Sequence, residues 1–87
     1  MAEPRMEEIG RVTAYFAKPS AAAVLLTASL RVGETIYIKG YTTDFQQPVA
    51  SLEIDRVLVQ EAEAGQSVGI KVAGKCRKRD VVYKLVG

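Results

Sequence analysis

The chain reads as one small all-β domain, and three features predict it. Apolar and polar residues alternate at the two-residue period of half-buried strands. Glycine- and proline-bearing turns interrupt that alternation. The resulting six or seven short strands are the pattern of a closed barrel or a sandwich, with helix content near zero. With 87 residues, 48% of them hydrophobic and 25% charged, the composition is that of an ordinary globular domain. It has room for one modest core, near the size at which stability becomes marginal.

Residues 1–7 are polar, include Pro4 and show no periodicity, so they are expected to form a loose terminus before a domain spanning 8–87. In the stretch Ile9–Phe16, Val12, Ala14 and Phe16 alternate with Arg11, Thr13 and Tyr15. Lys18-Pro19-Ser20 breaks this first strand, because proline donates no ladder bond and biases the preceding residue away from helix. Ala21–Leu30 is ambiguous: Ser20 is a helix-capping residue type and three alanines favour helix, yet Val24, Leu26 and Ala28 alternate. The flanking turn signals favour strand. Thr35–Lys39, with Ile36 and Ile38 on one face, is the clearest strand of the first half. Gly40–Pro48 is expected as a loop or short edge strand, and Val49–Val59 as one long strand bulged or bent at Asp55-Arg56.

The organising stretch is Ala62–Val72. Gly65 there is expected to take the positive φ of a tight turn, and Gly69 to let another backbone approach. Val68, Ile70 and Val72 then alternate inward, and Val81–Val86 makes a last strand. Val12, Ile36, Ile38, Leu52, Ile54, Val68, Ile70, Val72 and Val82 are the expected core.

Catalytic constellations are missing. With no histidine and a single cysteine, Cys76, the chain offers neither the usual acid/base residue nor a zinc or iron ligand set. No phosphate loop ends in Gly-Lys-Ser/Thr, so no nucleotide site is expected. The carboxylate pairs Glu7-Glu8 and Glu61/Glu63 read as solvated acids, and Cys76 lacks a histidine to activate it. The expectation is a non-enzymatic domain without metal or cofactor. The longest apolar run, Ala21–Leu26, falls far short of the ~20 residues that cross a bilayer, so no membrane association is expected. The lone cysteine and the lack of an apolar leader point to a reducing, cytoplasmic setting.

Charge is distributed unevenly. Residues 1–70 carry six Lys/Arg against nine Asp/Glu, whereas residues 71–87 carry six against one. Lys75, Arg77, Lys78 and Arg79 crowd around Cys76, a density able to neutralise phosphates. The same residues fit a plain solvated turn.

Two motifs resemble a known family. Leu30-Arg31-Val32-Gly33-Glu34-Thr35-Ile36-Tyr37-Ile38-Lys39-Gly40 resembles the L-x-V-G-D-x-[IV] turn and strand in the second domain of translational GTPases such as elongation factor Tu. Ala64-Gly65-Gln66-Ser67-Val68-Gly69-Ile70 is similar to that domain's A-G-x-x-V-G signature, Ser51–Ile54 to the strand before it, and Arg79–Tyr83 lies where its closing strand begins. The likeness runs over residues 8 to 86 and implies a single six-stranded antiparallel closed β-barrel of the translation-protein type, without the GTPase domain. In that family the barrel helps hold the aminoacyl end of tRNA. Two pocket positions carry over, the family glutamate to Glu53 and the family asparagine to Ser67, the latter a departure that leaves fewer hydrogen-bonding groups. Similar barrels serve as accessory domains on collagenase-like peptidases.

Two functions follow as expectations. One is a translation-factor-like module binding tRNA or rRNA, or a translation-related protein. Its site would be Lys71, Lys75, Arg77, Lys78, Arg79 and Lys84, with Tyr83 or Tyr41 to stack on a base. The other is a protein-interaction or scaffold barrel serving another polypeptide.

Overall fold

A computed structural model describes residues 5–18 and 20–86; Pro4 and Pro19, which the sequence reading used, lie outside them. The regular elements there are ten strands: β1 (Arg5–Phe16), β2 (Ala21–Leu26), β3 (Leu30–Arg31), β4 (Thr35–Lys39), β5 (Asp44–Pro48), β6 (Leu52–Ile54), β7 (Val57–Val59), β8 (Glu61–Ala62), β9 (Ser67–Lys71) and β10 (Val81–Val86). The all-β expectation holds, and the ambiguous alanine segment is strand β2.

The closed six-stranded barrel does not hold. Eight strands form one antiparallel sheet in the order β5-β4-β10-β1-β2-β9-β6-β7, and β3 pairs with β8 in a separate ribbon. The sheet keeps β5 and β7 as free edges, so it curls without closing. Its curl comes from β1, which pairs with β10 over Arg5–Arg11 and with β2 over Gly10–Phe16, shifting register once in each ladder. Each shift is a bulge that bends the strand and increases its twist. Gly10 sits at the bend, where an added Cβ would lie 2.5 Å from the Leu25 carbonyl oxygen. Close backbone approach therefore occurs at Gly10, whereas at Gly69 an added Cβ would meet only the Glu53 side chain, its Cβ at an ordinary 3.8 Å and its Oε2 at 3.9 Å.

Three further expectations change. Residues 5–7, expected to be loose, are paired with Val86, Leu85 and Lys84. The expected long strand Val49–Val59 is a tight hairpin, with Asp55 (φ 51°) and Arg56 (φ 66°) as its two-residue turn between β6 and β7. Two consecutive positive φ values are the mark of the type I′ turn, whose twist matches that of the strands it joins. Two adjacent polar residues therefore signalled a reversal and not a bulge. Ile54, expected in the core, is only half-buried, because β9 pairs with Leu52 and Glu53 and provides no partner for Ile54.

The other eight expected core residues are buried, joined by Ile9, Val24, Leu26, Leu30 and Val49. Gly65 has φ 90°, as its turn requires, and its N–H donates to the Leu26 carbonyl at 2.8 Å. The glycine turn thus anchors the end of β2 as well as launching β9.

Candidate functional site

The connection from β9 to β10 carries the basic cluster. Lys75, Arg77, Lys78 and Arg79 are exposed, while Cys76 and Asp80 turn inward. Asp80 organises the turn. Its Oδ2 accepts from the Arg77 N–H at 2.8 Å, and its own N–H donates to the Arg77 carbonyl at 3.0 Å. The turn is then fastened to β1 by reciprocal bonds: Arg79 N–H to the Val12 carbonyl and Val12 N–H to the Asp80 carbonyl, both 2.8 Å. Arg79 has φ 81° at the third turn position, where a glycine would sit without strain.

Docking the turn on β1 creates a pocket of about 270 Å³, lined by Arg11, Val12, Thr13, Leu25, Thr27, Lys78 and Arg79. Arg11 and Leu25 are cross-strand neighbours in the β1–β2 ladder, which places a guanidinium beside an isobutyl group that is 46% exposed. The lining is thus aliphatic with a rim of three cations. Among the described residues the ion pairs are Arg31–Glu61 and Lys84–Glu34, so none of the cations on the turn or at Arg11 is neutralised by a carboxylate.

Of the residues expected to form the site, Lys75, Arg77, Lys78 and Arg79 come together on this turn. Lys71 is exposed at the end of β9, opposite Ala21. Lys84 is committed elsewhere, with its Nζ 3.4 Å from a Glu34 carboxylate oxygen and donating to the Ser29 carbonyl at 3.1 Å. Tyr83 is half-buried within β10, flanked by Tyr37 and Glu8 across the two ladders, whereas Tyr41 is fully exposed. Glu53 and Ser67 are exposed on β6 and β9 and do not line the pocket. Sequence reasoning missed Arg11, Thr13, Leu25 and Thr27. Alternation alone put Arg11 and Thr13 on the outer face of the first strand; only the tertiary docking of the turn shows that they are walls.

Cys76 is no nucleophile in this setting. Burial, with the Asp80 charge adding to it, pushes its thiol up from 9.0 to about 11, so it stays protonated at neutral pH. Among the described residues no three His, Cys, Asp or Glu side chains cluster as metal ligands, and no helix is long and apolar enough to cross a membrane.

No family model matches the chain. It is 39% identical over 82 residues to an uncharacterized protease of Methanocaldococcus jannaschii, a match covering 93% of this chain and 20% of that protein. The chain therefore spans about a fifth of the length of the curated relative it matches. Its fold matches the crystal structure of the C-terminal domain of a Geobacillus thermoleovorans protein named as a U32 peptidase, with TM-score 0.84, 21% identity, and 90% and 91% of the two chains covered. A selenomethionine variant of that domain matches with TM-score 0.83 and 20% identity, covering 87% of this chain and 96% of that one.

These likenesses overturn the translation-factor resemblance. The two motifs that carried it centre on Gly33 (φ 98°) and Gly65 (φ 90°). They encode tight turns before strands, a demand of local backbone geometry that unrelated β domains share.

Proposed function

We propose that the chain acts as an accessory β domain of a larger U32-type peptidase, holding polypeptide for that protein and performing no cleavage itself. One observation carries this reading: the fold match takes in nearly all of this chain and nearly all of a peptidase's C-terminal domain. The 39% identity to one stretch of a protease supports it from sequence. The poor acid/base inventory, with no histidine in the chain, fits a binding role.

The test is made in the Methanocaldococcus jannaschii relative, by deleting the region that aligns with this chain. Cleavage of a short unstructured peptide should persist, while cleavage of a large protein substrate should fall by about tenfold or more, the loss expected when a remote binding site is removed. Equal loss of both activities, or cleavage by the isolated 87-residue chain, would overturn the proposal.

A further inference from the structure

We infer that the pocket between β1, β2 and the Arg77–Asp80 turn is a docking site for an acidic segment of a partner polypeptide. One apolar side chain of that segment enters the pocket while its flanking carboxylates meet Arg11, Lys78 and Arg79. This assignment rests on the reading that the chain holds polypeptide, and it identifies where and by what chemistry.

Three observations converge on it. The first is charge complementarity. Three cations rim the pocket, Lys75 and Arg77 extend the same turn, and among the described residues none of the five is ion-paired. Such a field attracts an anionic partner and sets its orientation. The second is the lining. Val12, Leu25 and the threonines Thr13 and Thr27 leave about 270 Å³, and an apolar cavity of ~150 Å³ already accepts a benzene ring. A leucine or phenylalanine side chain therefore fits. Nucleic-acid bases are held chiefly by stacking on aromatic rings, and no aromatic residue lines this pocket. That favours polypeptide over RNA.

The third observation is rigidity. Arg79 occupies a left-handed conformation, φ 81°, held by the Val12 bonds on both sides. Turns place Ser20, Asp55 and Arg56 at positive φ as well, so the value itself follows from turn geometry; its consequence here is a fixed direction for the basic side chains. Holding the turn rigid also removes the ordering cost of its side-chain bases on binding.

The test measures fluorescence anisotropy of a labelled acidic peptide with one central phenylalanine, its alanine counterpart, and an oligouridylate of equal length, against the 87-residue chain. The phenylalanine peptide should bind roughly tenfold or more tightly than the alanine peptide, the ratio expected for burying an aromatic side chain. Leu25→Asp should erase that ratio without unfolding the chain, because Leu25 is half exposed. Arg79→Gly should raise the melting temperature by relieving the turn and at the same time weaken peptide binding, a pairing that a purely structural role for Arg79 does not produce. Tighter binding of the oligouridylate than of either peptide would overturn the inference in favour of RNA. Equal binding of the two peptides would reduce the site to a general anion patch and overturn it as well. Should no peptide bind while deletion of the region in the relative still abolishes large-substrate cleavage, the accessory role would stand and the pocket assignment would fall.

Discussion

Gly40 lies directly against the carboxylate of Asp80, and no side chain fits between them: a Cβ at position 40 would collide with Asp80 Oδ1. The contact ties the turn after β4 to the turn before β10. Asp80 is only 5% exposed, and its other oxygen accepts the Arg77 N–H, as a buried polar group requires. Gly40→Ala should destabilise the fold by about 2 kcal/mol, within the range for overpacking a tight site. Asp80→Ala should cost about 1–2 kcal/mol for the lost hydrogen bond. The double variant should cost less than the two single changes added together, because removing the carboxylate makes room for the methyl. Strict additivity in urea denaturation would show that the two residues do not clash.

The carboxamide of Gln47 on edge strand β5 reaches the end of β9 and the residues just after it, donating to the Lys71 carbonyl at 2.7 Å and accepting from the Ala73 N–H at 2.6 Å. Both bonds are of the kind a neighbouring strand would make, so one side chain fastens the sheet's free edge where no backbone pairing exists. Gln47→Ala should cost about 1–3 kcal/mol, the sum of two modest hydrogen bonds. Gln47→Glu should fare little better, since a carboxylate still accepts from Ala73 but cannot donate to Lys71. Stability of either variant equal to the parent in urea denaturation would show that the edge needs no fastening.

What the sequence disclosed and what it hid follow from the range of the interactions. Alternation is local, so β4, β9 and the inward faces of Ile36, Ile38, Val68 and Ile70 were legible. The positive φ of Gly65 was legible because the glycine sits immediately before a strand. Strand order was not, since it depends on which edges pair across the chain, and bulges at Glu8–Gly10 and Val12–Ala14 decide how far the sheet curls. Nor was the pocket, five of whose seven lining residues lie more than fifty positions before Lys78. Lys84 shows the converse: its charge counted toward the cluster in one dimension, yet Glu34 claims it in three.

The turns provide a prediction in each direction. Gly65→Val should destabilise by a kcal/mol or more, because a β-branched residue at φ 90° is strained. Arg56→Gly should stabilise by about 0.5–1 kcal/mol, since the type I′ turn Asp55-Arg56 would become the favoured Asp-Gly. Thermal melts of the two variants check this, and shifts of the same sign would contradict the turn assignments.

Cys76 predicts a loss of stability in alkali. The thiol is 4% exposed, and its burial together with Asp80 raises its pKa from 9.0 to about 11 in the folded chain. Below pH 9 both folded and unfolded forms carry the proton, and the group's contribution is fully present. Between pH 9 and about 11 the unfolded chain releases the proton and the folded chain keeps it, so stability falls as pH rises through that window. The loss should be about 2–3 kcal/mol, from ~1.4 kcal/mol per pKa unit. The comparison is with Cys76→Ala, which keeps every other group and lacks the thiol. Replacing the thiol leaves a small void, so this variant should be less stable than the parent at pH 7. The gap between the two should then narrow as pH climbs from 8 to 11, because only the parent loses the thiol's contribution. Urea denaturation at intervals across that range reads the difference directly. A gap that stayed constant would mean that the folded chain ionises Cys76 as readily as the unfolded one.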